Sequence, residues 1–134
     1  MKKNKIIIIA LLIILPLILL FFIKNINNTE VLSRKSINII EEVYSPDKTY
    51  KCTIFKDNGN LTTSDNMRVS LTKYNKNKIY DSDIIFLGNR VQNISVKWIN
   101  NKKLSISYED SEFVDVIKQV VNKSDINIEY KKIN

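Results

Sequence analysis

A chain of 134 residues with 21 Lys and Arg against 14 Asp and Glu has room for one compact core beyond any membrane segment. It has no histidine and a single cysteine, which removes the His-based triads, the common zinc sites and any internal disulfide. Its 18 Lys against 3 Arg, with 23 Ile and 17 Asn, carry the bias of an AT-rich coding sequence and point to a low-GC bacterium.

Ile6 to Ile23 contains no charge, hydroxyl or side-chain amide, and Lys2, Lys3 and Lys5 stand directly before it. As a helix the run is about 27 Å long, close to the ~30 Å hydrocarbon core of a bilayer. Its length and the absence of a small-residue pair before Lys24 favour an uncleaved anchor over a cleaved signal peptide. Pro16 is compatible with a membrane helix, because neighbouring groups can re-satisfy the freed carbonyl. The lysine-rich N-terminal flank predicts that end inside the cell. The expected organisation is a cytoplasmic basic N-terminus over 1–5, a transmembrane helix over 6–23, a juxtamembrane linker over 24–36 and an extracytoplasmic β-rich domain over 37–134. Four of the 21 basic residues flank the apolar run and all 14 acids lie beyond it, so the remainder carries only +3. Ordinary solubility explains that charge.

Ile37 to Tyr44 predicts a first strand or short helix, ended by the turn formers Ser45-Pro46-Asp47-Lys48. Tyr50 to Phe55 follows as a strand, with Cys52 in its buried phase. Lys56 to Asn66 reads as a loop, and Met67, Val69 and Leu71 alternate with polar residues as a half-buried strand. Asn75 to Lys78 predicts a hairpin turn, with Ile79 to Tyr80 and Ile84 to Leu87 continuing the sheet. Ile94, Val96 and Trp98, then Leu104, Ile106 and Tyr108, form a hairpin about Asn100-Asn101, with Trp98 in the core. Phe113, Val116, Ile117 and Val120 are spaced for one face of a short helix within 112–123, although their β-branched content also suits a strand. Ile126, Ile128 and Tyr130 end the chain as a strand. The fold class is therefore mainly β: one small antiparallel sheet, half-barrel or sandwich, with at most one short helix near 112–123.

Two strings resemble elements of penicillin-binding sites: Ser45-Pro46-Asp47-Lys48 as S-x-x-K and Ser64-Asp65-Asn66 as S-D-N. The first leads into a strand where that chemistry needs a helix, and no K-T-G follows, so both read as coincidence. Glu109, Asp110, Glu112 and Asp115 lack the glycine turn and spacing of a calcium loop, and fit the first turn of a helix without a metal. No cofactor, metal or nucleic acid is expected. The candidate interaction loop comprises Asp57, Asn58, Gly59, Thr62, Thr63 and Asp65, because long loops on small sheets carry recognition.

Ser45, Pro46, Asp47 and Tyr50, then Gly59, Thr62 and Thr63, Val69 and Leu71, Val96 and Trp98, and Leu104, Ile106 and Tyr108 together resemble an uncharacterised bacterial family, a domain of unknown function. Its small membrane-anchored or lipoprotein-type members look like S-P-D-G-x-Y, G-A-T-T, V-x-V and V-x-W followed by L-x-I-x-Y. Lys48 stands where that family has glycine, and the Gly59 to Thr63 loop is one residue longer. The resemblance implies an anchor plus a β domain and no known activity. The expected function is a non-enzymatic binding module in the cell membrane, with the bilayer as partner through 6–23 and an unidentified envelope or secreted protein as the other. The alternatives are a histidine-free envelope enzyme using carboxylates, and a membrane-complex assembly or immunity-type protein acting through its helix.

Overall fold

The computed structural model describes residues 12–23, 37–57 and 66–133. Residues 12–23 are an α-helix that is apolar all round, and its side chains are all exposed, with no polar face to offer to water. At twelve residues its length is about 18 Å, and among the described residues no helix is long and apolar enough to cross a membrane. Ile6 to Leu11, which complete the apolar run, lie outside the described residues, as do the basic N-terminus and the linker over 24–36.

The remainder is mainly β. Strands β1 (Ile37–Tyr44), β2 (Tyr50–Asp57), β3 (Asn66–Lys73), β4 (Ile84–Asn89) and β7 (Asp115–Gln119) form one sheet in the order β1-β2-β3-β4-β7. Strands β5 (Ile94–Asn100), β6 (Lys103–Glu109), β8 (Asn122–Lys123) and β9 (Ile126–Ile133) form the second, in the order β5-β6-β9-β8. The sheets pack face to face. Cys52, Ile54, Val69, Leu71 and Phe86 from the first share one buried cluster with Val96, Trp98, Leu104, Ile106, Tyr108, Ile126 and Ile128 from the second. Period-two alternation puts these apolar side chains on the inner faces. Phe86 lies between Tyr108 and Tyr130, with ring centroids 5.1 and 6.1 Å away. The Tyr130 hydroxyl stitches the layers together at 2.8 Å from the Ile85 carbonyl, while accepting the Val120 N–H at 3.0 Å. Burial pushes its pKa up to about 12.

Three sequence expectations are corrected. The stretch 112–123 is not a helix: β7 and β8 occupy it, with Val114, Val116 and Val120 packed on the core and Phe113, Ile117 and Val121 exposed. Stiff β-branched residues and an open edge on β4 outweigh the helical spacing. The sheets are not purely antiparallel, since β6 pairs with β9 in parallel after the chain crosses to the first sheet for β7. Finally, Asn75 to Lys78 is not a tight turn leading into a strand at Ile79–Tyr80: β3 and β4 pair antiparallel, with Ile84 to Leu87 in the sheet as expected, across a longer connection. The segment lies over the outer face of the first sheet, where Ile79 packs with Phe55 and Ile84, and a 3-10 turn at Asp81–Asp83 leads into β4.

Strand register gives the sandwich two distinct ends. Ile37 opposite Asp57, Asp57 opposite Asn66, and Asn89 opposite Asp115 put the start of β1, the end of β2 and the start of β3 at one end, the near end. The turns after β1, β3, β5 and β8 gather at the other, far end. Contacts between them fix this: the Asp47 N–H donates to Asn101 Oδ1 at 3.1 Å, and the Trp98 Nε1–H donates to the Val43 carbonyl at 3.3 Å.

Candidate functional site

At the near end Asp57, the one residue of the sequence-predicted interaction loop among those described, closes β2 as a buried carboxylate. Arg68 Nη2 lies 3.2 Å from its Oδ2 and Arg68 Nη1 lies 3.9 Å from Asp81 Oδ1, so one guanidinium bridges two acids. A planar fork suits that geometry. Asn58, Gly59, Thr62, Thr63 and Asp65 lie outside the described residues.

The far end holds a different arrangement. Strand β3 outruns β4, whose register stops with Ser70 opposite Ile84, and the last residues of β3 border a cleft of about 450 Å³. Tyr50, Thr72, Lys73, Asn75, Lys76, Asp83, Lys123 and Ser124 are among the residues lining it. Asp83, only 7 % exposed, holds two ammonium groups: Lys76 Nζ at 2.6 Å from Oδ2 and Lys123 Nζ at 3.6 Å from Oδ1. The Tyr80 N–H donates to the same Oδ2 at 2.9 Å. Lys123 also donates to the Ser82 carbonyl, and Lys76 sits 4.9 Å over the Tyr80 ring. Burial holds the Lys123 ammonium below the usual lysine pKa range, partly offset by the Asp83 charge. Lys73 is exposed at the mouth. The cleft thus carries three cations against one engaged carboxylate.

The turn next to this cleft explains the first catalytic-looking string. The buried Ser45 hydroxyl donates to Asp47 Oδ1 at 2.7 Å and accepts the Tyr50 N–H at 2.9 Å, so it is committed to the turn. Asp47 also accepts the Thr49 N–H at 3.0 Å, and these bonds, the Ser45 hydroxyl first, hold its carboxyl below its ordinary pKa. Cys52 is fully buried and burial pushes its thiol far up, the condition of an inert core residue. The acidic run disperses: Asp110 pairs with Lys132 at 3.2 Å, Glu109 accepts from Asn93 Nδ2 at 3.1 Å, and Asp115 lies on β7. Among the described residues no group of three or more His, Cys, Asp or Glu is placed to hold a metal ion.

Sequence reasoning missed Lys73, Lys76, Asp83 and Lys123, which come from stretches up to fifty positions apart. The local signal was Lys73, Lys76 and Lys78 close together at and after the end of β3, in a chain whose lysine excess follows its codon bias. The architecture is that of a small two-sheet β-sandwich preceded by an apolar helix, with a basic cleft at one end. The model of a family of unknown function, DUF5412, matches residues 2–125, and the chain belongs to that family. Neither the curated proteins nor the solved structures contain a match to it.

Proposed function

We propose that the chain is a membrane-anchored, non-enzymatic binding module whose sandwich lies outside the cytoplasm and presents its far end to envelope ligands. The observation that carries this reading is the polarity of the sandwich. The apolar helix precedes β1, and β1 starts at the near end, so the tether and the basic cleft lie at opposite ends. Thirteen residues separate Ile23 from Ile37, a reach of at most about 45 Å. A site at the untethered end of such a domain is open to molecules beyond the bilayer. The apolar run over 6–23, the lysines before it and the exposed apolar surface of residues 12–23 support the anchor.

Cys52 makes the orientation easy to test, because the only native thiol is buried. In a Lys102→Cys variant, the new thiol stands on an exposed far-end turn. A membrane-impermeant maleimide should label this variant in intact cells or spheroplasts and leave the native chain unlabelled. Labelling that needs lysis would put the domain in the cytoplasm and overturn the reading.

A further inference from the structure

The geometry points to a phosphate-binding site in the far-end cleft, with Lys73, Lys76 and Lys123 as its cationic donors and Asp83 as the residue that positions two of them. This inference deepens the binding-module reading and rests on it for its biological setting, though not for its chemistry.

Asp83 does not compete with an incoming anion, because its oxygens are already engaged. Oδ2 receives Lys76 Nζ and the Tyr80 N–H, Oδ1 faces Lys123 Nζ, and the residue is buried. Each ammonium has three donor hydrogens, so Lys76 keeps two after its bond to Asp83 and Lys123 keeps two after its bond to Ser82, its approach to Asp83 being an ion pair at 3.6 Å. Lys73 adds a third ammonium with no ion pair among the described residues. The Lys123 side chain is only one-fifth exposed, and its ammonium has lost part of its hydration. A desolvated, pre-positioned cation gains more from an anion than a freely hydrated surface lysine does. Thr72 also lines the cleft, at the end of β3. Asn75 and Ser124 complete a rim of neutral donors. Three ammonium groups and small hydroxyl and amide donors around a cleft of about 450 Å³ suit a phosphate or short phosphodiester, which offers several acceptor oxygens at once.

The test uses the full chain in a non-ionic maltoside detergent, titrated by calorimetry with inorganic pyrophosphate and separately with poly(glycerol phosphate). Binding of either probe should weaken about tenfold or more in Lys123→Met and in Lys73→Met. Lys97→Met, which removes an exposed lysine on β5, should bind like the native chain. Melting curves establish that each variant is folded. Pyrophosphate binding alone identifies a small phosphate compound as the ligand class, and tighter polymer binding identifies a phosphodiester chain. Equal weakening in Lys97→Met, or no weakening in Lys123→Met, would reduce the effect to diffuse charge and overturn the site. No binding of either probe would overturn it as well. Because the titration uses purified protein, its failure leaves the maleimide result standing, and a cytoplasmic labelling pattern leaves the titration standing.

Discussion

Two buried carboxylates sit at opposite ends of this sandwich, and they differ in what surrounds them. Asp57 is closed in by one arginine that also reaches Asp81, and that arginine side chain is only 13 % exposed. Asp83 is held by two lysines that line an open cleft with a third lysine at its mouth. The same elementary pairing therefore serves two ends. A rigid fork with no spare access is a fastener, whereas ammonium groups held at an open cleft with unused hydrogens remain available to a ligand.

The difference predicts a graded response to mutation. Arg68→Met removes a nearly buried guanidinium that reaches both Asp57 and Asp81 and should cost about 3 kcal/mol, a fall in Tm on the order of 10–20 °C, with phosphate binding at the far end unchanged. Gly88→Ala probes the sheet beside the near end. A Cβ there would lie 2.6 Å from Val91 Cγ2 and 3.1 Å from the Phe86 ring, both in the core, so the loss should be about 1–3 kcal/mol by denaturant titration. Asp83→Asn should cost only about 1–2 kcal/mol, because the amide oxygen can still accept the Tyr80 N–H and Lys76, more than a third exposed, can turn to water. A larger loss at Asp83 than at Arg68 would erase the distinction between the two ends.

Smaller effects sharpen the picture of the far-end turn. Lys48 adopts φ 55°, a left-handed conformation that costs a side-chain-bearing residue energy. Lys48→Gly should therefore stabilise the fold by roughly 0.5–1 kcal/mol in equilibrium unfolding. Asp47 is the subtlest case. Its carboxyl is depressed in the folded state, so it contributes stability above its unfolded pKa, and that contribution fades as pH falls through the lower folded value. The Tm gap between the native chain and Asp47→Asn should be present at neutral pH and narrow below about pH 4.

Much of the fold was legible because alternation is a strong signal where one face is buried. Val96, Trp98, Leu104, Ile106 and Tyr108 sit in the core where their period placed them, and the Ser45-Pro46-Asp47 turn closes as its side-chain chemistry requires. What stayed hidden depends on tertiary pairing. Val116 and Val120 fit a helix face by spacing, and only the free edge of β4 decides for a strand. Sequence order could not show that β9 returns beside β6, nor that Ile79 would plug the outer face of the first sheet. The basic cleft was invisible for the same reason. Asp83 and Lys123 lie forty positions apart, and each by itself is an ordinary surface charge in a lysine-rich chain.

The most direct test of the far end as the open, ligand-accepting half is lysine acetylation of the full chain, read by mass spectrometry with and without saturating pyrophosphate. The account predicts protection at Lys73, Lys76 and Lys123, with Lys97 and Lys131 modified equally in both samples. Uniform protection across all lysines, or none at the three in the cleft, would contradict it.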